Sequence, residues 1–320
     1  MTTSPIRLRL RAAVLLLAAL AAAPACAQEG DLPLHLFAYH RNAPLELQSS
    51  QIGAEDGVAI HQISYASPKG GRVTGRLFVP QGTGPFAGVV LAHGMPGNAE
   101  AFTGRGVYIA RHGAVVIAID APFNRREDRP VTLTPQDSVE QVQLIVDLQR
   151  AVDVLLARPD VDSARLAYVG RSYGGATGAL FAGVERRLRT YILASADGGI
   201  TMRFTAPGTP PPGQEAQARA WLAAMQPIEG IRFVHRANAP IFFQNGRQDA
   251  IVTVERAEAL HAAVTGPKEV RWYEAEHPLN AAAYVDQLRW LSQTVGTTPP
   301  GPEDEAGPQI PPPPQPQRQP

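Results

Sequence analysis

A serine, an aspartate and a histidine each follow a predicted strand and could together form a nucleophilic site. Ser172 lies in residues 170–175, with the sequence GRSYGG, between a short apolar run and a helix-like stretch of small residues. Gly170 and Gly174 would relieve crowding around a serine whose backbone is strained and left-handed. The segment therefore predicts a nucleophile elbow that exposes the serine hydroxyl, although GxSxG alone is a weak signal.

The acid and the base are predicted from the order of residues along the chain. Asp249 follows the apolar run 240–246, and His277 follows the alternating segment 269–273 and precedes a final helix. The order serine, acid, histidine is that of α/β-hydrolases and differs from that of other common serine hydrolases. Asp197 also follows a predicted strand, one strand earlier, and is the weaker choice for the acid.

These residue types support acyl transfer when they lie together. His277 would take the proton of the Ser172 hydroxyl and return it to the leaving group. Asp249 would fix the histidine tautomer without taking the proton itself. The backbone N–H groups of Met95 and Tyr173 are the predicted oxyanion hole. The side chain of His93 is expected to brace the loop that carries Met95.

The motifs resemble those of α/β-hydrolases, in the branch that is similar to dienelactone hydrolases and prolyl oligopeptidases. The resemblance runs from about Val73 to Leu291, and it is carried by LAHG at 91–94, GRSYGG at 170–175, Asp249 and His277. It implies a serine acyl hydrolase, usually an esterase. Dienelactone hydrolases proper have cysteine in place of this serine, and the segment before Val73 is too short for an oligopeptidase propeller. A compact serine esterase fits better than either.

The elements around these motifs predict an α/β-hydrolase fold with a mostly parallel central sheet and helices on both faces. Alternating segments at Val58–Ala66 and Arg72–Val79 predict an antiparallel hairpin at the N-terminal edge of the sheet. A helix is predicted over Pro135–Leu156, with Thr134 as its cap and Val139 on its apolar face. The predicted parallel strands are Phe86–Ala92, Ala114–Ile119, Arg165–Val169, Tyr191–Ser195, Ile241–Phe243 and Val270–Tyr273.

A lid-like insertion is predicted at residues 198–238, since this segment is longer than a crossover requires. Its apolar residues could line a pocket, but packing on the body is favoured. These residues are Met202, Phe204, Trp221 and Met225. In the loop 120–128, Arg126 could contact an acidic group, although a solvated charged loop is favoured.

Composition excludes some classes of function. The chain has 320 residues, and 44% of them are hydrophobic, which is enough for one large core. Its formal net charge is +0. The balanced charge gives no reason to expect a nucleic-acid partner. The histidines show no spacing typical of a metal site, and neither a metal nor another cofactor is predicted.

The composition of residues 1–27 is typical of an export signal. Three arginines precede the apolar stretch 12–23, and small residues around Cys26 favour cleavage after Ala27. The apolar stretch is shorter than a membrane span needs, so no stable span is expected after cleavage. A periplasmic or secreted location follows, and lipid attachment at Cys26 is disfavoured because residues 23–25 match a lipobox poorly.

The remaining boundaries are an N-terminal arm at 28–57, a hydrolase domain at 58–296 and a Pro-rich tail at 297–320. The tail is expected to be extended or disordered and to stay out of the core. The leading function is hydrolysis of a small-molecule carboxylic ester through an acyl-serine intermediate. The alternatives are a serine peptidase of the same fold and a catalytically silent scaffold that binds an envelope component. The complete set of Ser172, Asp249 and His277 argues against the scaffold.

Overall fold

The computed structural model describes residues 32–126, 131–201 and 213–308. Its strands are β1 (Gln48–Glu55), β2 (Val58–Ala66), β3 (Arg72–Pro80), β4 (Phe86–Ala92), β5 (Ala114–Ile119), β6 (Val161–Arg171), β7 (Thr190–Ala194), β8 (Ile241–Gly246) and β9 (Lys268–Tyr273). Its helices are α1 (Thr103–Ala110), α2 (Gln136–Leu156), α3 (Tyr173–Val184), α4 (Glu215–Met225), α5 (Gly230–Phe233), α6 (Val254–Ala263) and α7 (Ala281–Val295). Short 3-10 turns link several of them.

One sheet contains all of these strands, in the order β1-β2-β3-β5-β4-β6-β7-β8-β9. Strands β1, β2, β3 and β5 pair antiparallel, and the pairs from β5 through β9 are parallel. The predicted α/β-hydrolase fold, with its antiparallel N-terminal edge, is therefore confirmed. A parallel sheet brings the carboxyl ends of its strands to one edge, where the connecting loops can form a site.

The two faces of the sheet carry separate apolar cores because successive side chains of a strand point to opposite faces. Tyr168 and Phe243 belong to one core, together with residues of α2 and α3. Val169 and Phe242 belong to the other, together with residues of α1 and α7. Strands β5, β7 and β8 are buried along their whole length. Continuous apolar runs in the sequence predicted these strands for this reason.

The long helix α2 differs from its prediction in two details. It begins at Gln136, one residue later than predicted, and Pro135 occupies the N-cap position without a side-chain cap. Thr134 lies one position before the N-cap, but its Oγ1 accepts a hydrogen bond from Gln136 N–H at 3.3 Å, so its predicted capping contact is present. Val139 is 58% exposed rather than part of the buried face, because the packed face of α2 includes residues such as Ile145 and Leu148.

Strand β1 was not predicted and makes the sheet wider at its N-terminal edge. All eight of its residues are exposed, so no alternation of apolar and polar residues marks it as a strand. It pairs with β2, which means that the sheet begins within the predicted arm 28–57. Earlier in the arm, the carbonyls of Arg41 and Ala43 accept hydrogen bonds from the buried side chain of Arg150 in α2.

The prediction that the C-terminal tail stays out of the core is wrong for residues 297–308. Thr298 N–H donates to the carbonyl of His112 at 2.8 Å. Asp304 is fully buried, where Arg111 and His112 donate to its carboxylate. Charge pairing thus anchors a segment that lacks apolar periodicity. Residues 309–320 and the predicted signal at 1–27 lie outside the described residues.

The insertion at 198–238 contains α4 and α5. Met202 and Phe204 lie outside the described residues. Within the three described stretches, no helix has the length and apolar character that crossing a membrane requires.

Candidate active site

Ser172 lies at a sharp turn between the end of β6 and the start of α3. Its backbone has φ 56° and ψ −115°, so φ is positive as predicted, while ψ lies outside the left-handed helical well. Such a backbone costs on the order of 1–3 kcal/mol. Two hydrogen bonds hold the turn: Ser172 N–H donates to Ala194 O at 2.8 Å, and Gly174 N–H donates to His93 O at 3.1 Å. A Cβ at Gly174 would overlap the carbonyl oxygen of Ala92, which explains the glycine.

The structure brings the three predicted polar residues into one hydrogen-bonded chain. Ser172 Oγ lies 2.7 Å from His277 Nε2, and His277 Nδ1 lies 2.8 Å from Asp249 Oδ2. Ser172 is 4% exposed, and the side chains of Asp249 and His277 are 0% and 15% exposed. The three residues come from loops after β6, β8 and β9, at the carboxyl edge of the parallel strands. Largely water-excluded hydrogen bonds of this kind are electrostatically strong.

The carboxylate of Asp249 is held in one orientation. Its Oδ1 accepts hydrogen bonds from the backbone N–H groups of Ile251 and Val252, each at 2.8 Å, which leaves Oδ2 for His277. Burial opposes ionisation, but the hydrogen bonds from His277, Val252 and Ile251 outweigh it and lower the pKa of Asp249 below its usual value. Asp249 is therefore a carboxylate at neutral pH.

Asp197, the alternative acid, is fully buried after the end of β7. His277 Nδ1 is already hydrogen-bonded to Asp249. The geometry therefore favours Asp249 as the partner of the histidine.

A second serine positions the histidine loop. The hydroxyl of Ser195 donates to the carbonyl oxygen of His277 at 2.9 Å, and Ser195 N–H donates to Gln244 O at 2.7 Å. Ser195 also has a positive φ of 49°. Sequence reasoning missed this residue. No sequence signal identifies it, because its acceptor is a main-chain carbonyl 82 residues further along the chain.

The side chain of His93 braces the loop after β4. Its Nε2 accepts a hydrogen bond from Ala121 N–H at 3.2 Å. The proton must then be on Nδ1, which donates to the carbonyl of Gly94 at 2.9 Å. Burial lowers the pKa of His93, so the ring is neutral. The ring thus links the loop after β4 to the end of β5.

This brace holds the loop against the serine. A Cβ placed on Gly94 would lie 3.2 Å from Ser172 Cβ. Among the described residues, the N–H groups of Met95 and Tyr173 have no hydrogen-bond acceptor. Both are consistent with donors for an oxyanion, and the oxyanion hole stays a prediction.

A cleft is lined by Tyr173, the residue that follows Ser172, by Met95 and by side chains of α2 and α4. Trp221 and Met225 are buried and also line this cleft, so packing and lining are not alternatives for them. The indole N–H of Trp221 donates to Asp137 at 2.8 Å, and the Tyr173 hydroxyl donates to Gln141 at 2.7 Å. The walls of the cleft are therefore fixed by polar contacts to α2.

The interpretation of 120–128 as a solvated loop is wrong for Arg126, whose side chain is 19% exposed and pairs with Glu140 of α2 at 2.8 Å. Residues 127 and 128 lie outside the described residues. No trio of His, Cys, Asp or Glu side chains suited to a metal ion occurs in the described part of the chain.

A hydrogen-bonded Ser-His-Asp chain at the carboxyl edge of a parallel sheet, with the serine at a strand-to-helix turn, defines an α/β-hydrolase site. Comparison with known proteins agrees: residues 89–315 match the model of the Alpha/beta hydrolase family, and the chain belongs to this family. The resemblance deduced from the sequence motifs is confirmed.

Individual relatives are distant. The Escherichia coli (strain K12) protein YfhR, which is uncharacterized, is 24% identical over 233 residues, or 69% of this chain and 74% of YfhR. Human acyl-coenzyme A thioesterase 1 is 26% identical over 208 residues, or 64% of this chain and 45% of the thioesterase. The chain therefore matches less than half of that protein's length.

Cutinase est2 of Thermobifida alba is 31% identical over 101 residues, which cover 32% of this chain and 31% of the cutinase. Among solved structures, the acetyl xylan esterase from Paenibacillus sp. R4 superposes with a TM-score of 0.66 at 21% identity. It covers 81% of this chain and 91% of the esterase. At this identity the likeness shows a common fold.

Proposed function

We propose that this protein is a serine hydrolase that cleaves a carboxylic ester through an acyl-serine intermediate. The observation that carries the proposal is the continuous chain from Ser172 Oγ through His277 to Asp249, with distances of 2.7 and 2.8 Å. These distances lie within the range that direct proton transfer requires.

In the proposed reaction, Ser172 Oγ attacks the ester carbonyl while His277 Nε2 takes the hydroxyl proton. The imidazolium that forms is stabilised by the Asp249 carboxylate through Nδ1–H. His277 then gives the proton to the leaving alcohol, which departs and leaves the acyl group on Ser172. Water, activated by the same nitrogen, releases the acid in the second half of the reaction.

The negative charge of the tetrahedral intermediate would be stabilised by the N–H groups of Met95 and Tyr173. Tyr173 is the first residue of α3, so its N–H points out of a helix N-terminus, where the helix dipole favours an anion. Met95 follows Gly94, whose main chain packs against Ser172. Each such donor contributes about 3–4 kcal/mol to transition-state stabilisation.

The names of two sequence relatives, an acyl-coenzyme A thioesterase and a cutinase, support acyl transfer rather than a silent scaffold. No residue of the described cleft favours a peptide substrate over an ester. Peptide cleavage is therefore the competing outcome when esters and peptides are compared as substrates.

A fluorophosphonate probe tests the proposal on the full chain. We expect one adduct, located at Ser172 by mass spectrometry, that is lost in Ser172→Ala and His277→Ala. The matched control is Ser163→Ala, an exposed serine at the other end of β6. It should label like the parent protein. A folded protein that does not react at Ser172 would refute the proposal and favour a scaffold.

Ester and peptide substrates are then distinguished by comparing the turnover of p-nitrophenyl esters of increasing acyl length with that of peptide p-nitroanilides. Ester turnover without anilide turnover supports the esterase. A higher kcat/KM for the anilides would make the protein a peptidase with the same machinery.

We also propose that residues 1–27 direct export and are removed after Ala27. The basic and apolar composition of this segment supports this proposal. N-terminal sequencing of the chain from the periplasm of a Gram-negative host should begin at Gln28. A full-length chain retained in the cytoplasm, or a lipid-modified chain beginning at Cys26, would contradict it.

A further inference from the structure

Arg105 of α1 is a buried cation with an unfilled hydrogen-bonding position. It is 3% exposed, and its guanidinium lies between the rings of Phe102 and Tyr284, at 4.9 and 5.1 Å from their centroids. Its Nη2 donates to Gln287 Oε1 at 3.2 Å, whereas its Nη1 is buried without a partner. Burying an N–H group without a hydrogen-bond partner is unfavourable, and it is more so for a charged group.

A second arginine lies on the same side of the sheet. Arg171 follows Val169 by two residues on β6, so both side chains point to the face whose core includes Phe102 and Tyr284. Its Nε is also buried without a partner. Its Nη1 lies 3.7 Å from the position of a Cβ on Gly94, the loop residue that packs on Ser172.

Neither arginine forms an ion pair with a carboxylate of the described residues. Arg125, Arg150 and Arg232 also have buried nitrogens without a hydrogen-bond partner. Of these, Arg125 and Arg150 pair through another nitrogen with Asp147 and Asp153.

Burial lowers the pKa of Arg105 to about 10, and the charge of Arg171 contributes in the same direction. Arg105 is still charged at neutral pH. Both positive charges therefore lie on one face of the sheet without an ion-pair partner among the described residues. The ring of Phe102, which contacts Arg105, lies 6.2 Å from the ring of His93, and Arg171 Nη1 lies beside the next residue, Gly94.

We propose that Arg105 Nη1 and Arg171 Nε bind a small monovalent inorganic anion, such as chloride, behind the loop that carries Met95. Charge-assisted hydrogen bonds from two guanidinium groups would satisfy both buried N–H groups and neutralise part of the excess charge. The aromatic walls formed by Phe102 and Tyr284 make the site too apolar for a strongly hydrated dianion. The proposal is independent of the reaction assigned to Ser172.

Thermal unfolding measures anion binding without using enzymatic activity. At constant ionic strength, replacing gluconate by chloride should raise Tm saturably by about 2–4 °C, because an anion that binds only the folded state stabilises it. The exposed Arg41→Gln is the matched control and should respond like the parent protein. Arg171→Gln should lose the response. An equal response in Arg171→Gln, or none in the parent, would overturn the proposal.

Since Arg105→Gln can fail to fold, the second measurement uses the unaltered protein. Crystals grown in bromide should give an anomalous peak within hydrogen-bonding distance of both arginine side chains. Water alone at this position, or bromide bound only at the protein surface, refutes the site.

Discussion

Replacing Asp249 by asparagine tests the proposed proton path, because the structure determines how the new amide group would be oriented. The main-chain N–H groups of Ile251 and Val252 both point at Oδ1. In the variant, the amide oxygen must occupy that position, since an NH₂ group there would face two donors. The NH₂ group is then directed at His277 Nδ1.

This orientation selects the wrong histidine tautomer. Nδ1 must accept the amide N–H, so the ring proton moves to Nε2, the nitrogen that lies 2.7 Å from Ser172 Oγ. Nε2 can then no longer take the serine proton. An aspartate-to-asparagine change that traps this tautomer lowers kcat about 10⁴-fold, or about 5.4 kcal/mol in the activation free energy.

The assay is kcat on a p-nitrophenyl ester together with the rate of fluorophosphonate labelling at Ser172. Asp162→Asn, the same change at the start of β6, is the control and should retain both rates. If Asp249→Asn keeps kcat within tenfold of the parent while Asp197→Asn loses activity, the acid is misassigned and the reasoning fails.

The pH dependence of stability gives a second test of Asp249. Its pKa is lowered in the folded state, so its contribution to stability is complete above the unfolded value of about 4. The contribution is lost as the pH falls through the lower folded value. The difference in unfolding free energy between the parent and Asp249→Asn should therefore shrink on acidification in urea titrations. A difference that grows toward low pH would contradict the sign of the shift.

Three further predictions concern stability, each measured by urea unfolding. Gly174→Ala should destabilise the fold by about 2 kcal/mol or more, because its Cβ would overlap a carbonyl at the end of β4 and force the main chain to shift. Gly53→Ala is the control and should change the stability little, because the space around Gly53 is open. Ser172→Gly should be more stable than Ser172→Ala by about 1 kcal/mol, since only glycine relaxes the positive φ; equal stabilities would mean that the turn is not strained. Asp304→Asn should cost about 1–3 kcal/mol by weakening the contacts of its buried carboxylate to two basic side chains, whereas the exposed Glu305→Gln should be neutral.

The sequence determined the parallel strands of the sheet and the order of the serine, the acid and the histidine along the chain. Buried runs such as Phe86–Ala92 and Ala114–Ile119 coincide with β4 and β5 because strands covered on both faces must be apolar throughout. The glycines around Ser172 predicted the turn, since close main-chain approaches leave no room for a Cβ. Elements without a periodic pattern escaped detection, as with the fully exposed β1 and the anchored segment 297–308.

The sequence by itself supplied a serine, two candidate acids and a histidine in a characteristic order. Only the tertiary structure shows that Asp249 is hydrogen-bonded to His277, because hydrogen bonding depends on distance and direction across loops from different strands. It alone revealed Ser195 under the histidine loop and the buried nitrogens of Arg105 and Arg171, which have no hydrogen-bond partner among the described residues. These contacts join residues far apart in the chain, and no local pattern of residue types encodes such a meeting.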